Sequence, residues 1–258
     1  MTITTDLHVH STFSCDAEDR MEAICAGALD KGLTRICFTD HYDLLEEDHG
    51  LHPLDLENYS TALDALKERF RGRLQILKGL EFGEPHLFPE ELEKIKEMGF
   101  DMILAGIHSF ESCFLGDPIL LERYSREEIF HKYYKEVLDL VNHGGFDVLA
   151  HMDLPKRYLG MPEKQDPLVE PILSRLAASR IALEINTSPL RKGLHQCSPD
   201  LEILQRYRDV GGSRVTVGSD AHRISDLGRG FPYAAGLLAR AGMGPSGYFQ
   251  GRTYFELS

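Results

Sequence analysis

Apolar and β-branched residues recur along the chain in short runs, at 2–7, 35–39, 75–80, 102–107, 147–150, 181–185 and 214–218. Runs of this length, bounded by polar or glycine-containing segments, predict buried strands. Between them the apolar positions take a helical spacing, at 17–31, 58–71, 90–98, 126–143, 167–178 and 200–210. The stretch 232–241 is expected to close the chain as a last helix. Seven strands alternating with helices imply a parallel sheet with right-handed crossovers. No repeat, low-complexity tract or linker breaks the pattern, so a single domain over 1–258 is expected.

Polar residues gather just past the carboxyl ends of these strands. His8 and His10 follow the first, Asp40 and His41 the second, Glu81 the third and His108 the fourth. His151 follows the fifth, Asn186 the sixth, and Asp220 with His222 the seventh. In parallel α/β folds the loops at that edge converge on one mouth, where active sites are built. A closed barrel explains the convergence better than an open sheet, whose strand ends would spread over too wide a front.

Composition narrows the class of protein. The 258 residues are 42% hydrophobic and 27% charged, as in an ordinary soluble globular chain. A net charge of −13 disfavours non-specific nucleic-acid binding, which needs a basic footprint. No apolar run approaches the roughly 18 residues of a membrane-spanning helix, and the amino-terminal segment lacks the basic and apolar regions of a signal peptide. The five cysteines form no CxxC pair and read as small core residues in a reducing compartment, so a cytoplasmic protein is expected.

The candidate chemistry starts with His8-Val9-His10. Alternate strand residues point the same way, so the pair presents two imidazoles to one ion. Asp6 suits equally a supporting role on that face or the strand edge. Asp16 suits a helix N-cap or a ligand. His41 is a candidate ligand, with Asp40 as an orienting or structural partner. A carboxylate at Glu81, after an apolar run, would be costly to bury unpaired, and metal ligation removes the cost. His108 and His151 are single strand-end histidines, whereas Asp220-Ala221-His222 offers a carboxylate and an imidazole from one turn. Nine ligand-type groups exceed what one ion takes and predict two or three divalent ions. The mixed nitrogen and oxygen set suits Zn, Mn or Fe better than Mg or Ca. Clustered ions, about 3.5–4 Å apart, are characteristic of phosphoryl hydrolysis, where they bind phosphate oxygens and activate a bridging water. The remaining histidines, His49, His52, His86, His131, His143 and His195, are surface or structural by default, with His52, His86 and His195 within reach of a substrate.

The blocks DLHVHSTFSCD, FTDHYD, KGLEFG, AGIHSF, AHMDLPKRY, EINTSPLRKG and VGSDAH resemble, in order and spacing, the PHP (polymerase and histidinol phosphatase) superfamily, over Asp6 to His222. Within it the chain is most similar to the stand-alone histidinol-phosphate phosphatases. The resemblance implies a distorted, TIM-like (β/α)7 barrel and three metal positions. One takes His8, His10, Glu81 and Asp220. A second takes Glu81, His108 and His151, with Glu81 as bridge, and a third takes Asp16, His41 and His222. Glu81, Asp220 and His222 fall at the catalytic centre, with a metal-bound hydroxide as nucleophile at phosphorus.

A small phosphorylated substrate also needs cationic partners. Arg157, Arg191 and Lys192 lie on loops at the same mouth, and Arg in particular matches phosphate oxygens in bidentate fashion. Loop acids such as Asp43, Glu46, Glu84 and Asp153 are candidates to receive a substrate ammonium or imidazole. The resemblance favours L-histidinol phosphate, of histidine biosynthesis. Competing readings are a PHP phosphoesterase acting on nucleotides or phosphotyrosine, and a non-catalytic metal-binding module. An amidohydrolase-type barrel fits less well, since it wants an eighth strand and often a bridging lysine. No GxSxG, P-loop or GxGxxG motif points to another chemistry.

Overall fold

The computed structural model describes residues 2–45 and 54–257, so Glu46, His49 and His52 lie outside the described residues. Seven parallel strands form the centre: β1 (Thr5–Val9), β2 (Arg35–Phe38), β3 (Gln75–Gly83), β4 (Met102–Gly106), β5 (Val148–Leu149), β6 (Ala182–Asn186) and β7 (Val215–Gly218). They are hydrogen-bonded in chain order. The sheet then returns on itself through a parallel bridge between Val9 and Ala221. There the His10 N–H donates to the Ala221 carbonyl at 2.9 Å, and the Ala221 N–H to that of His8 at 3.3 Å. This is the expected seven-stranded barrel, distorted by a register shift between Asp6 and Val9 and by a β5 of only two residues.

Each strand is buried on both faces, which is why its sequence reads as a near-continuous apolar run. Inside the barrel lie Leu7, Cys37, Leu77, Met102, Leu104, Val148 and Ala182. Outside, the sheet packs against α1 (Met21–Asp30), α2 (Leu56–Arg69), α3 (Pro89–Lys96), α4 (Arg126–His143), α5 (Val169–Ala178), α6 (Leu201–Asp209) and α7 (Phe231–Ala241). Side-chain caps fix several helix starts: Asp55 for α2, Asp200 for α6, and a capping box of Ser125 with Glu128 for α4. Among the described residues no helix is long and apolar enough to cross a membrane.

Two expectations need correction. β3 runs on to Gly83, so Glu81 stands within the strand rather than after it. His8 likewise lies inside β1. The helix at 231–241 does not close the chain either, because a hairpin of β8 (Gly247–Gln250) and β9 (Thr253–Glu256) follows. Gly251 and Arg252 form its two-residue turn, both with positive φ, the geometry that suits the twist of paired strands. The hairpin caps the amino-terminal end of the barrel. Phe249 plugs the interior, the Arg35 guanidinium lies 3.7 Å above the Tyr248 ring, and Arg252 pairs with Asp147 at 3.0 Å.

Candidate metal centre

The opposite end of the barrel carries the polar residues. Leu77, Gly79 and Glu81 share one face of β3, so the face that fills the core at Leu77 delivers Glu81 to the mouth. Its carboxylate is buried, and its two oxygens face different histidines. Oε2 lies 3.1 Å from His8 Nε2, 3.4 Å from His10 Nε2 and 3.3 Å from His41 Nδ1. Oε1 lies 2.8 Å from His151 Nε2 and 3.3 Å from His108 Nε2. His41 reaches this position because residues His41–Tyr42 pair with Glu81–Phe82 as a short strand beside β3. Asp220 Oδ1 stands 3.8, 3.6 and 3.5 Å from His8, His10 and His222. Asp16, half exposed, is 2.9 Å from His222 Nε2 and 3.8 Å from His41 Nε2. All nine candidate ligands thus converge, with His8 and His10 fully buried beneath a cavity of about 260 Å³ lined by the other seven.

The charges in this cluster are strongly coupled. Burial opposes protonation of His8, but Glu81, Glu184 and Asp220 outweigh it and raise its pKa well above the usual imidazole range. His108 is raised in the same way, by Asp43 and Glu81 against burial. His10 goes the other way, depressed by burial and then by the neighbouring His222, His41 and His8. Burial would raise Glu81 and Asp220, yet the surrounding cations hold both well below the carboxylate range. Ionised carboxylates are acceptors only, the state a cation needs. His10 Nε2 is buried facing Glu81 and Asp220 oxygens with no hydrogen-bond partner among the described residues. Three groups have ligand atoms within 4.8 Å of one another: His8–His10–Asp220, His41–Glu81–His108 and His10–His41–His222. An orphaned imidazole nitrogen amid such groups fits a divalent cation.

Neighbouring side chains hold the cluster in place. Asp6 is buried and binds the Ser219 N–H, the Ser219 hydroxyl and the Gly228 N–H at 2.6–2.9 Å, pinning the turn that carries Asp220. Asp40 gathers the N–H and hydroxyl groups of Ser11 and Ser14, which folds the loop leading to Asp16. Of the loop acids, Glu46 lies outside the described residues, and Asp43, Glu84 and Asp153 each have partners within the fold. Asp43 bonds His108 Nδ1 at 3.1 Å and lies 3.3 Å from His41 Nδ1. Glu84 accepts the N–H groups of His108 and Ser109, and burial pushes its carboxyl up to about 8. Asp153 is tied to Lys156 at 2.6 Å and to the Ser198 hydroxyl. His86 and His131 turn to Glu136 and Asp166.

Of the cations, Arg157 donates to Asp220 Oδ2 at 2.8 Å, and its buried Nε has no hydrogen-bond partner among the described residues. Arg191 spends its two Nη groups on the carbonyls of Ser219 and Asp220, at 2.7 and 2.9 Å, so it braces the Asp220 turn. Lys192 is exposed on an adjoining cavity of about 540 Å³, together with Arg223 and Arg229. Two site features went unread in the sequence. Phe114 and Tyr158 form an edge-to-face pair, centroids 6.0 Å apart, on the wall of the first cavity. Glu184 bonds His8 from inside β6, and its signal was an acid within an apolar strand.

The PHP domain family matches residues 6–188. The chain belongs to that family. The match stops short of Asp220 and His222, but similarity to individual relatives continues past them. A probable histidinol-phosphatase of Thermotoga maritima is 33% identical over 231 residues, covering 87% of each chain. The histidinol-phosphatase of Lactococcus lactis is 28% identical, over 95% of this chain and 94% of its own. A crystal structure of histidinol phosphate phosphatase from Lactococcus lactis, complexed with zinc, L-histidinol and phosphate, superposes with a TM-score of 0.86 at 25% identity, covering 98% of this chain and 99% of that one.

Proposed function

We propose that this PHP protein is a divalent-metal-dependent phosphomonoesterase that hydrolyses L-histidinol phosphate. The observation that carries the reading is the division of Glu81, one oxygen toward His8, His10 and His41 and the other toward His108 and His151. A carboxylate so placed suits bridging between two ions, and His222 with Asp16 offers a third position. Two or three ions, of Zn, Mn or Fe, suit this donor set. Zinc, L-histidinol and phosphate in the Lactococcus lactis complex support the same assignment.

When bound, the ions supply an activated water and neutralise charge on the phosphoryl oxygens. The chain's own residues orient the reactants. Glu81 and Asp220 hold the ligand set together, and His222 brings Asp16 to its outer edge. Arg157, with an unused donor beside Asp220, faces the phosphate, and Lys192 attracts it from the rim. Arg191 acts through the Asp220 turn. Phe114 and Tyr158 offer an aromatic wall to the ring of the leaving group.

Phosphate release from L-histidinol phosphate, nucleotides and phosphotyrosine, with metal content measured on the same sample, tests the proposal. L-Histidinol phosphate should be turned over fastest, in proportion to bound metal. A flat, slow response across the panel would remove the substrate assignment. Glu81→Ala or His108→Ala should abolish turnover, and near-normal activity in either would sink the site assignment.

A further inference from the structure

Glu184 is buried in the middle of β6, on the inward face shared with Ala182 and Asn186. Both of its oxygens are engaged. Oε1 lies 2.6 Å from His8 Nδ1, while Oε2 accepts the His151 N–H at 2.9 Å and the Asn186 side-chain amide at 3.1 Å. The adjacent strand β7 makes room for it, because a Cβ at Gly218 would overlap both Glu184 Oε1 and His8 Cβ. We propose that Glu184 is a positioning residue, which fixes the ligand nitrogen of His8 and the backbone of His151 and so couples the two sides of the metal centre. The inference rests on the metal-centre reading above.

Two physical steps connect the contact to metal binding. As a metal ligand His8 would give up one proton and become a neutral imidazole with a single ring proton, which a carboxylate at Nδ1 holds there. Nε2, 3.1 Å from Glu81 Oε2, is then left as a lone pair directed into the cluster. On the other side, His151 has φ of +24°, a backbone geometry that L residues adopt only under constraint. The bond from its N–H to Glu184 helps hold that geometry, from which the ring reaches Glu81 Oε1 at 2.8 Å. His8 faces one oxygen of Glu81 and His151 the other, so a single side chain behind the cluster sets both.

Glu184→Gln separates this role from simple packing, because the two side chains have nearly the same shape. If the amide nitrogen takes the Oε2 position, it meets two N–H donors. If it takes the Oε1 position, it donates to His8 Nδ1 and moves the ring proton to Nε2, the atom meant for the ion. Either way the ligand set is disturbed while the core stays filled. Competition with a chelator of known affinity, using zinc alone and no substrate, should show metal affinity weakened on the order of 10–100-fold. The melting temperature of the chelator-treated variant should stay close to that of chelator-treated wild type. A downfield imidazole N–H resonance, present in the wild type, should shift or disappear, since its acceptor is no longer a carboxylate. Glu184→Asp, which keeps the charge but shortens the arm, should weaken binding too, and it decides the matter if Glu184→Gln does not fold. Wild-type affinity in either folded variant overturns the inference, as does a wild-type protein that binds no zinc. A protein that binds zinc normally but releases no phosphate from L-histidinol phosphate would overturn the proposed activity and leave this inference standing.

Discussion

Arg157 is partly buried against Asp220 and still keeps an unused donor, whereas Arg191 has its Nη groups on backbone carbonyls. Their replacements should therefore fail differently. Arg157→Ala should lower kcat/KM by roughly two orders of magnitude, as expected for loss of a charged donor at a reacting phosphate, with little change in the melting temperature of the holoenzyme. Arg157→Lys should recover only part, because an ammonium lacks the planar fork. Steady-state kinetics beside a melting curve checks both, and an unchanged kcat/KM in the alanine variant would remove Arg157 from the phosphate site. The histidines were legible in the sequence because each stands at a strand end, a position that gives a side chain a direction as well as an identity. The carboxylates that orient them were less so. Asp43 was one candidate substrate contact among several and Glu184 went unread, since what distinguishes them is a partner on another strand. Strand pairing creates that partner, and local sequence does not encode it.

At the scale of elements, the alternation of short apolar runs and helical spacing was enough to place all seven barrel strands and the seven longer helices around them, but not the five-residue helices Ile119–Arg123 and Pro155–Leu159. The β8–β9 hairpin was missed although Gly251-Arg252 stands between two alternating runs. Its apolar face is half spent on plugging the barrel floor and gives a weaker period than a two-faced strand. The extension of β3 to Gly83 was missed for a related reason: glycine and glutamate end apolar runs in sequence, but here Gly79 makes room for Cys37 Sγ and Glu81 points into the ligand cluster. The hairpin is anchored by Arg252, whose guanidinium pairs with the buried Asp147. Arg252→Ala would leave that carboxylate without its cation and should cost about 2 kcal/mol, between an exposed and a fully buried pair because Arg252 is partly exposed. A urea unfolding midpoint measures it. Metal content should be unaffected, since the hairpin lies at the other end of the barrel, and an unchanged midpoint would mean that the pair does not secure the floor.

For the whole molecule, the mouth concentrates ionised carboxylates whose compensation, among the described residues, comes from coupled histidines and Arg157. Ions bound there stabilise the native state by mass action, about 4 kcal/mol for a site held at a thousandfold excess over its Kd. Chelation should thus lower Tm by on the order of 10 °C for a chain of this size, and added zinc should restore it. A thermal scan with and without chelator decides this, and an unmoved Tm would argue that the cluster holds no ion. The barrel's closing seam bears on when such ions can be taken up. His8 and His10 belong to the first strand, while Asp220 and His222 follow the last, and the Val9–Ala221 bridge joins them. A ribosome must therefore complete nearly the whole chain before the His8–His10–Asp220 group exists. A growing polypeptide can present the His41–Glu81–His108 group earlier, but the groups that span the seam exist only once Asp220 and His222 have been made.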